Sequence, residues 1–69
     1  MNQKVLFENF DKNALEEFAI KLFEKSVAIF KKTEEYNNLK IVYKDISLAY
    51  QKMNNPEKAN HYKRMAEKI

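Results

Sequence analysis

Apolar residues recur along this chain at intervals of three and four, in runs separated by short polar stretches. That period is the spacing of one face of an α-helix. Four helices are predicted. The first covers residues 2–10, where Val5, Leu6, Phe7 and Phe10 give a short and incomplete stripe. Asp11-Lys12-Asn13 then reads as a turn, with Asn13 placed to cap the next helix and Glu16 three residues on. The second helix is predicted over residues 14–34. Leu15, Phe18, Leu22 and Ile29 form one stripe, Ala19, Phe23, Ser26 and Phe30 run beside it, and Ile20 and Val27 mark a further face. So wide an apolar surface calls for packing on two sides.

Glu35-Tyr36-Asn37-Asn38 interrupts the pattern, and asparagine is the non-glycine residue that best tolerates left-handed backbone at a helix end. The third helix is predicted over residues 39–53, with Val42, Tyr43, Ile46, Ala49, Tyr50 and Met53 on one face. Asn54-Asn55-Pro56-Glu57 is a turn leading into a helix start: Asn55 can cap it and Pro56 suits the first helical position. The fourth helix runs over residues 56–69, with Ala59, Tyr62, Ala66 and Ile69 inward. The expected fold is all-α, a single domain over residues 1–69 built as two antiparallel helical hairpins.

Composition removes most chemistry from consideration. The 69 residues contain no glycine, no cysteine, one proline and one histidine. Disulfide frameworks and thiolate zinc sites are excluded, and glycine-rich phosphate loops and standard calcium loops have no material. Tight hairpin turns that lean on glycine are disfavoured, which argues against a β-rich fold. With 45% hydrophobic and 33% charged residues, the chain is that of a folded helical protein and not a disordered tail. No run approaches the ~18 apolar residues of a membrane span. The first eight residues are too polar for a secretory signal, so cytoplasmic residence is expected. One core of this size rarely contributes more than about 3–5 kcal/mol. Dense helix packing, self-association or a partner must supply what staples and metals do not.

Charge sharpens the picture only at the C-terminal end. Residues 1–50 hold eight bases and eight acids, whereas residues 51–69 hold Lys52, Lys58, Lys63, Arg64 and Lys68 against Glu57 and Glu67. Five minus two accounts for the whole net charge of +3. Bases near a helix C-terminus are favoured by the macrodipole, by about 0.3–1 kcal/mol each. A phosphate-binding patch is the alternative.

A shift of 40 residues aligns the two halves. Lys4 falls on Lys44, Leu6 on Ile46, Phe10 on Tyr50, Ala19 on Ala59, Leu22 on Tyr62, Ser26 on Ala66 and Ile29 on Ile69. Any two amphipathic helices match in part, but small residues recurring in register let two helices approach along a shared seam. The segment Tyr43-Lys-Asp-Ile46-Ser47-Leu-Ala49-Tyr50, followed by a turn and by Ala59 and Ala66, resembles a tetratricopeptide (TPR) repeat. Residues 19–26 look like the second helix of a preceding unit, giving units of about 1–38 and 39–69. The 40-residue spacing is similar to that in TPR domains of peptide-sensing bacterial regulators. Ser47, Asn54, Lys63 and Phe7 depart from the family pattern.

Catalysis finds no constellation. Glu16-Glu17 and Glu34-Glu35 are adjacent pairs that diverge on a helix, and nothing supplies a nucleophile with its base. Glu57 and His61 share a helix face but make only half a metal site. No catalytic residue, metal or cofactor is expected. Ile41, Lys44, Asp45, Leu48, Gln51 and Lys52 recur at helical spacing away from the apolar face of the third helix. The TPR resemblance implies that this side faces a ligand groove. Otherwise Ile41 and Leu48 pack on another helix or a second copy. The expected function is a non-catalytic module that docks a protein or peptide partner, as a regulator or adaptor. Too few repeat units rarely bury their own ends. A homodimer or hetero-complex is therefore expected, through the broad second helix or through Tyr62, Met65 and Ile69. The alternative is a helix-turn-helix-like DNA-binding unit in which Lys58, Lys63 and Arg64 contact phosphates, although the small net charge argues against nucleic acid.

Overall fold

The computed structural model describes residues 12–69. Three helices make up nearly all of this span: α1 (Lys12–Lys32), α2 (Tyr36–Lys52) and α3 (Pro56–Glu67). No strand occurs among the described residues, so the fold is all-α. The first candidate helix, residues 2–10, lies outside the described residues. Helix α1 already includes Lys12 and Asn13, which places Asn13 within the helix and not at its cap.

Both turns are built alike. After α1 the amide of Glu34 donates to the Lys31 carbonyl (3.3 Å) and that of Glu35 to the Phe30 carbonyl (2.9 Å). After α2 the amide of Asn54 donates to Gln51 (3.0 Å) and that of Asn55 to Tyr50 (2.9 Å). These paired bonds are the Schellman closure, which needs one left-handed residue just past the helix. Glu34 (φ 60°) and Asn54 (φ 58°) occupy that position. Asn54 matches the expectation from sequence, but Glu34 replaces the Asn37-Asn38 pair, which belongs to the first turn of α2. Burial explains the shift. Leu39 is buried one turn into α2, so the helix must begin before it. Left-handed backbone costs a non-glycine residue about 1–2 kcal/mol. Here it is offset by the two closing bonds and by the Glu35 carboxylate, which accepts from Thr33 Oγ1 (2.6 Å) and Asn38 Nδ2 (3.2 Å).

The start of α3 follows local chemistry. Asn55 Oδ1 accepts from the Lys58 amide at 3.2 Å, Pro56 holds the first helical position, and Glu57 sits in the first turn. Replacing Asn55 with alanine should lower stability by about 1 kcal/mol, and with glycine by only a few tenths, read by thermal unfolding. Equal loss from both substitutions would show that the cap contributes nothing specific.

Helix α2 is the centre of the molecule. It packs against α1 on one side and α3 on the other, while the backbones of α1 and α3 do not meet. Leu39, Val42, Tyr43, Ile46 and Ala49 of α2 form the core with Ile20 of α1 and Ala66 of α3. Phe23, Val27 and Phe30 close it from α1, and Tyr62 and Met65 from α3. Alanines let α3 come close: Ala59 and Ala66 are 2% and 1% exposed. Ser47 fits the same seam because its buried hydroxyl donates to the Ala59 carbonyl at 2.7 Å. Ser47 therefore leaves no buried polar atom unsatisfied.

Candidate protein-docking face on helix α2

A helix packed on two flanks still has an outer side. On α2 the core side is Leu39, Ile46 and Tyr50, and residues two or five positions from these point away from it. Ile41, Lys44, Leu48, Gln51 and Lys52 are exposed there, and Asp45 is half-buried toward α1. All six residues expected to bind a partner therefore share one side of one helix. Ile41 is 57% and Leu48 53% exposed, although they sit on the helix that carries most of the core. Neither belongs to the core cluster.

Leu48 stands on a ridge between two grooves. One, of about 470 Å³, runs between α2 and α3 and is lined by Lys40, Lys44, Ser47, Leu48, Lys63 and Ala66, among others. The other, of about 250 Å³, runs between α1 and α2 past Ala19, Phe23, Asp45, Leu48 and Lys52. Sequence periodicity did not single out Lys40, Lys63 or Phe23 for this face. Lys63 belongs to the basic C-terminal segment, and that charge was the available signal. Gln51 joins the first groove, and Ile41 extends the ridge by two turns.

The residues expected to mediate self-association are placed differently from one another. Tyr62 and Met65 are half-buried against the core, and Ile69 is exposed beyond the end of α3. Tyr62 stacks on Tyr50, with centroids 5.7 Å apart and an interplanar angle of 14°, and lies 6.2 Å from Tyr43. Burial holds the Tyr62 hydroxyl above its usual pKa, with Tyr50, Glu24 and Tyr43 adding repulsion against the phenolate. Glu24 belongs to α1, so its charge acts on Tyr62 of α3 through space although the two backbones stay apart. Lys58 Nζ lies 5.4 Å from the Tyr50 ring centre, a cation–π arrangement.

Helix α1 presents a second apolar surface. Leu15, Phe18, Leu22 and Ile29, the most regular stripe in the sequence, are all about half exposed or more. Its buried face is instead the one marked by Ile20, with Phe23, Val27 and Phe30 packed beside it. No group of three His, Cys, Asp or Glu among the described residues could hold a metal ion. No described helix is long and apolar enough to cross a membrane. Comparison with protein-family models, with curated proteins and with solved structures found no match for this chain.

Proposed function

We propose that this chain is a non-catalytic, cytoplasmic, TPR-like interaction module that docks a protein or peptide partner on the outer side of α2. The carrying observation is the pair Ile41 and Leu48. Two large apolar side chains, seven residues apart, stay half exposed on the central helix, and Leu48 stands between two grooves. Exposed apolar residues that cluster in grooves and carry a polar rim mark surfaces that bind. Lys44, Asp45, Gln51 and Lys52 form such a rim.

The repeat supports the two-hairpin form of this module. In the second unit, α2 covers Ala59 and Ala66 almost completely. Their counterparts 40 residues earlier, Ala19 and Ser26, are only half-buried, and Ser26 turns its hydroxyl back to the Leu22 carbonyl at 3.2 Å. Small residues along α1 thus leave space for a second neighbour. The counterparts of Ile46 and Tyr50 are Leu6 and Phe10, in the segment proposed to complete the first hairpin.

Affinity capture from the source cell, compared between wild type and an Ile41→Ser, Leu48→Ser double variant, tests the docking face. Both side chains are exposed, so helicity should persist, with under about 1 kcal/mol lost through helix propensity. Partner capture should disappear. Unchanged capture by the double variant would remove the face from consideration. Light scattering on the same purified chain reads its assembly: twice the chain mass is expected for a homodimer through α1 and Ile69, whereas a lone monomer leaves only a hetero-complex.

A further inference from the structure

We propose that the groove between α2 and α3 selects an acidic peptide segment bearing at least one large apolar side chain. The inference rests on α2 being the docking helix and adds the chemistry of what docks there. Lys40 and Lys44 lie one turn apart on the α2 wall, and Lys63 faces them from α3. Glu67 is the single acid among the described lining residues. Three minus one leaves +2 in this groove, against +3 for the whole 69-residue chain. No ion pair among the described residues occupies the three ammonium groups. Like charges gathered around a concavity raise the local potential for an anionic partner.

The remaining lining decides which anion. Leu48 and Ala66 are apolar, and lysine stems add methylene surface beneath their charged ends. A carboxylate-bearing peptide can use both features, its acids reaching Lys40, Lys44 and Lys63 while an apolar side chain rests on Leu48. A phosphate backbone uses the charges and leaves the apolar surface unmatched. The groove, of about 470 Å³, falls within the ~300–1,000 Å³ typical of ligand clefts and is enough to seat a few residues of a peptide.

The test is selection of the purified full chain against a random 12-residue peptide display library, followed by fluorescence anisotropy with the enriched peptide. Enrichment of sequences that combine Asp or Glu with leucine-like residues is expected. Their affinity should fall on the order of tenfold in a Lys40→Glu, Lys44→Glu, Lys63→Glu variant, and should also weaken as salt rises from about 50 to 500 mM. Neutral or basic enriched peptides, or no enrichment, would overturn the proposal. So would acidic peptides whose binding ignores the three lysines. Tighter lysine-dependent binding of a 20-base-pair DNA duplex would overturn it in favour of nucleic acid. The Leu48→Ser variant separates the two levels: binding that needs Leu48 but not the lysines ends the acidic assignment and leaves the docking helix standing. Binding that needs neither ends both.

Discussion

Replacing Ile46 with alanine is expected to leave much of the chain unfolded at 25 °C. Ile46 is 0% exposed and is the largest fully buried side chain among the described residues. It sits midway along α2, the one helix that touches both others. Truncating a buried isoleucine costs about 2–5 kcal/mol, the removed methylenes plus the cavity they leave. A core of this size supplies only about 3–5 kcal/mol in total. Far-ultraviolet circular dichroism with urea titration measures the loss directly. A variant that unfolds at the wild-type midpoint would mean that α2 is not the centre of the core.

The second large effect is expected at the α2–α3 seam. Ala59 is 2% exposed and lines neither groove, so a leucine there must push the helices apart or strain its own rotamer. Overpacking of this kind costs about 1–3 kcal/mol. The damage should be uneven. Backbone packing ties α3 to α2 alone, so α3 should loosen first while α1 and α2 remain paired. Hydrogen exchange of the α3 amides and the near-ultraviolet signal of the Tyr50–Tyr62 stack would report it. The matched control is Ala28→Leu, at an exposed position of α1, where no loss is expected. If both variants melt alike, close approach of the helices is not what the small residues provide.

Much of the helical layout was legible before the structure. The predicted spans 14–34, 39–53 and 56–69 correspond to Lys12–Lys32, Tyr36–Lys52 and Pro56–Glu67. Boundaries were read best where one residue does one local job. Pro56 and Asn55 act within a single turn, so their roles needed no knowledge of the rest of the chain. The α1–α2 boundary was read less well. Asparagine's preference for left-handed backbone is a fraction of a kcal/mol, too small to compete with burial of Leu39 and the bonds that close around Glu34.

The candidate site divides in the same way. Ile41, Lys44, Leu48, Gln51 and Lys52 lie on one helix, where the 3.6-residue period alone puts them on one side. Lys63 joins Lys40 and Lys44 only because the Asn54-Asn55 turn folds α3 back beside α2. No local period links positions 40 and 63. The hydroxyl of Ser47 finds the Ala59 carbonyl by the same fold-back. Ser47 in isolation reads simply as a small residue.

By itself, the sequence determined three things: helices in place of strands, a turn and cap at Asn54-Asn55-Pro56, and a polar outer side on α2 carrying two apolar residues. These follow from local propensity, capping chemistry and helical period, each complete within about one or two turns. Only the tertiary structure decided which of the apolar stripes on α1 is covered. The regular stripe of Leu15, Phe18, Leu22 and Ile29 is exposed, while the side of Ile20 and Val27 faces the core. Periodicity shows that a face is apolar, but burial depends on which neighbour the turns deliver to it. Here both turns deliver their helices to α2, and in a chain without glycine the left-handed position is taken by Glu34 in one turn and Asn54 in the other.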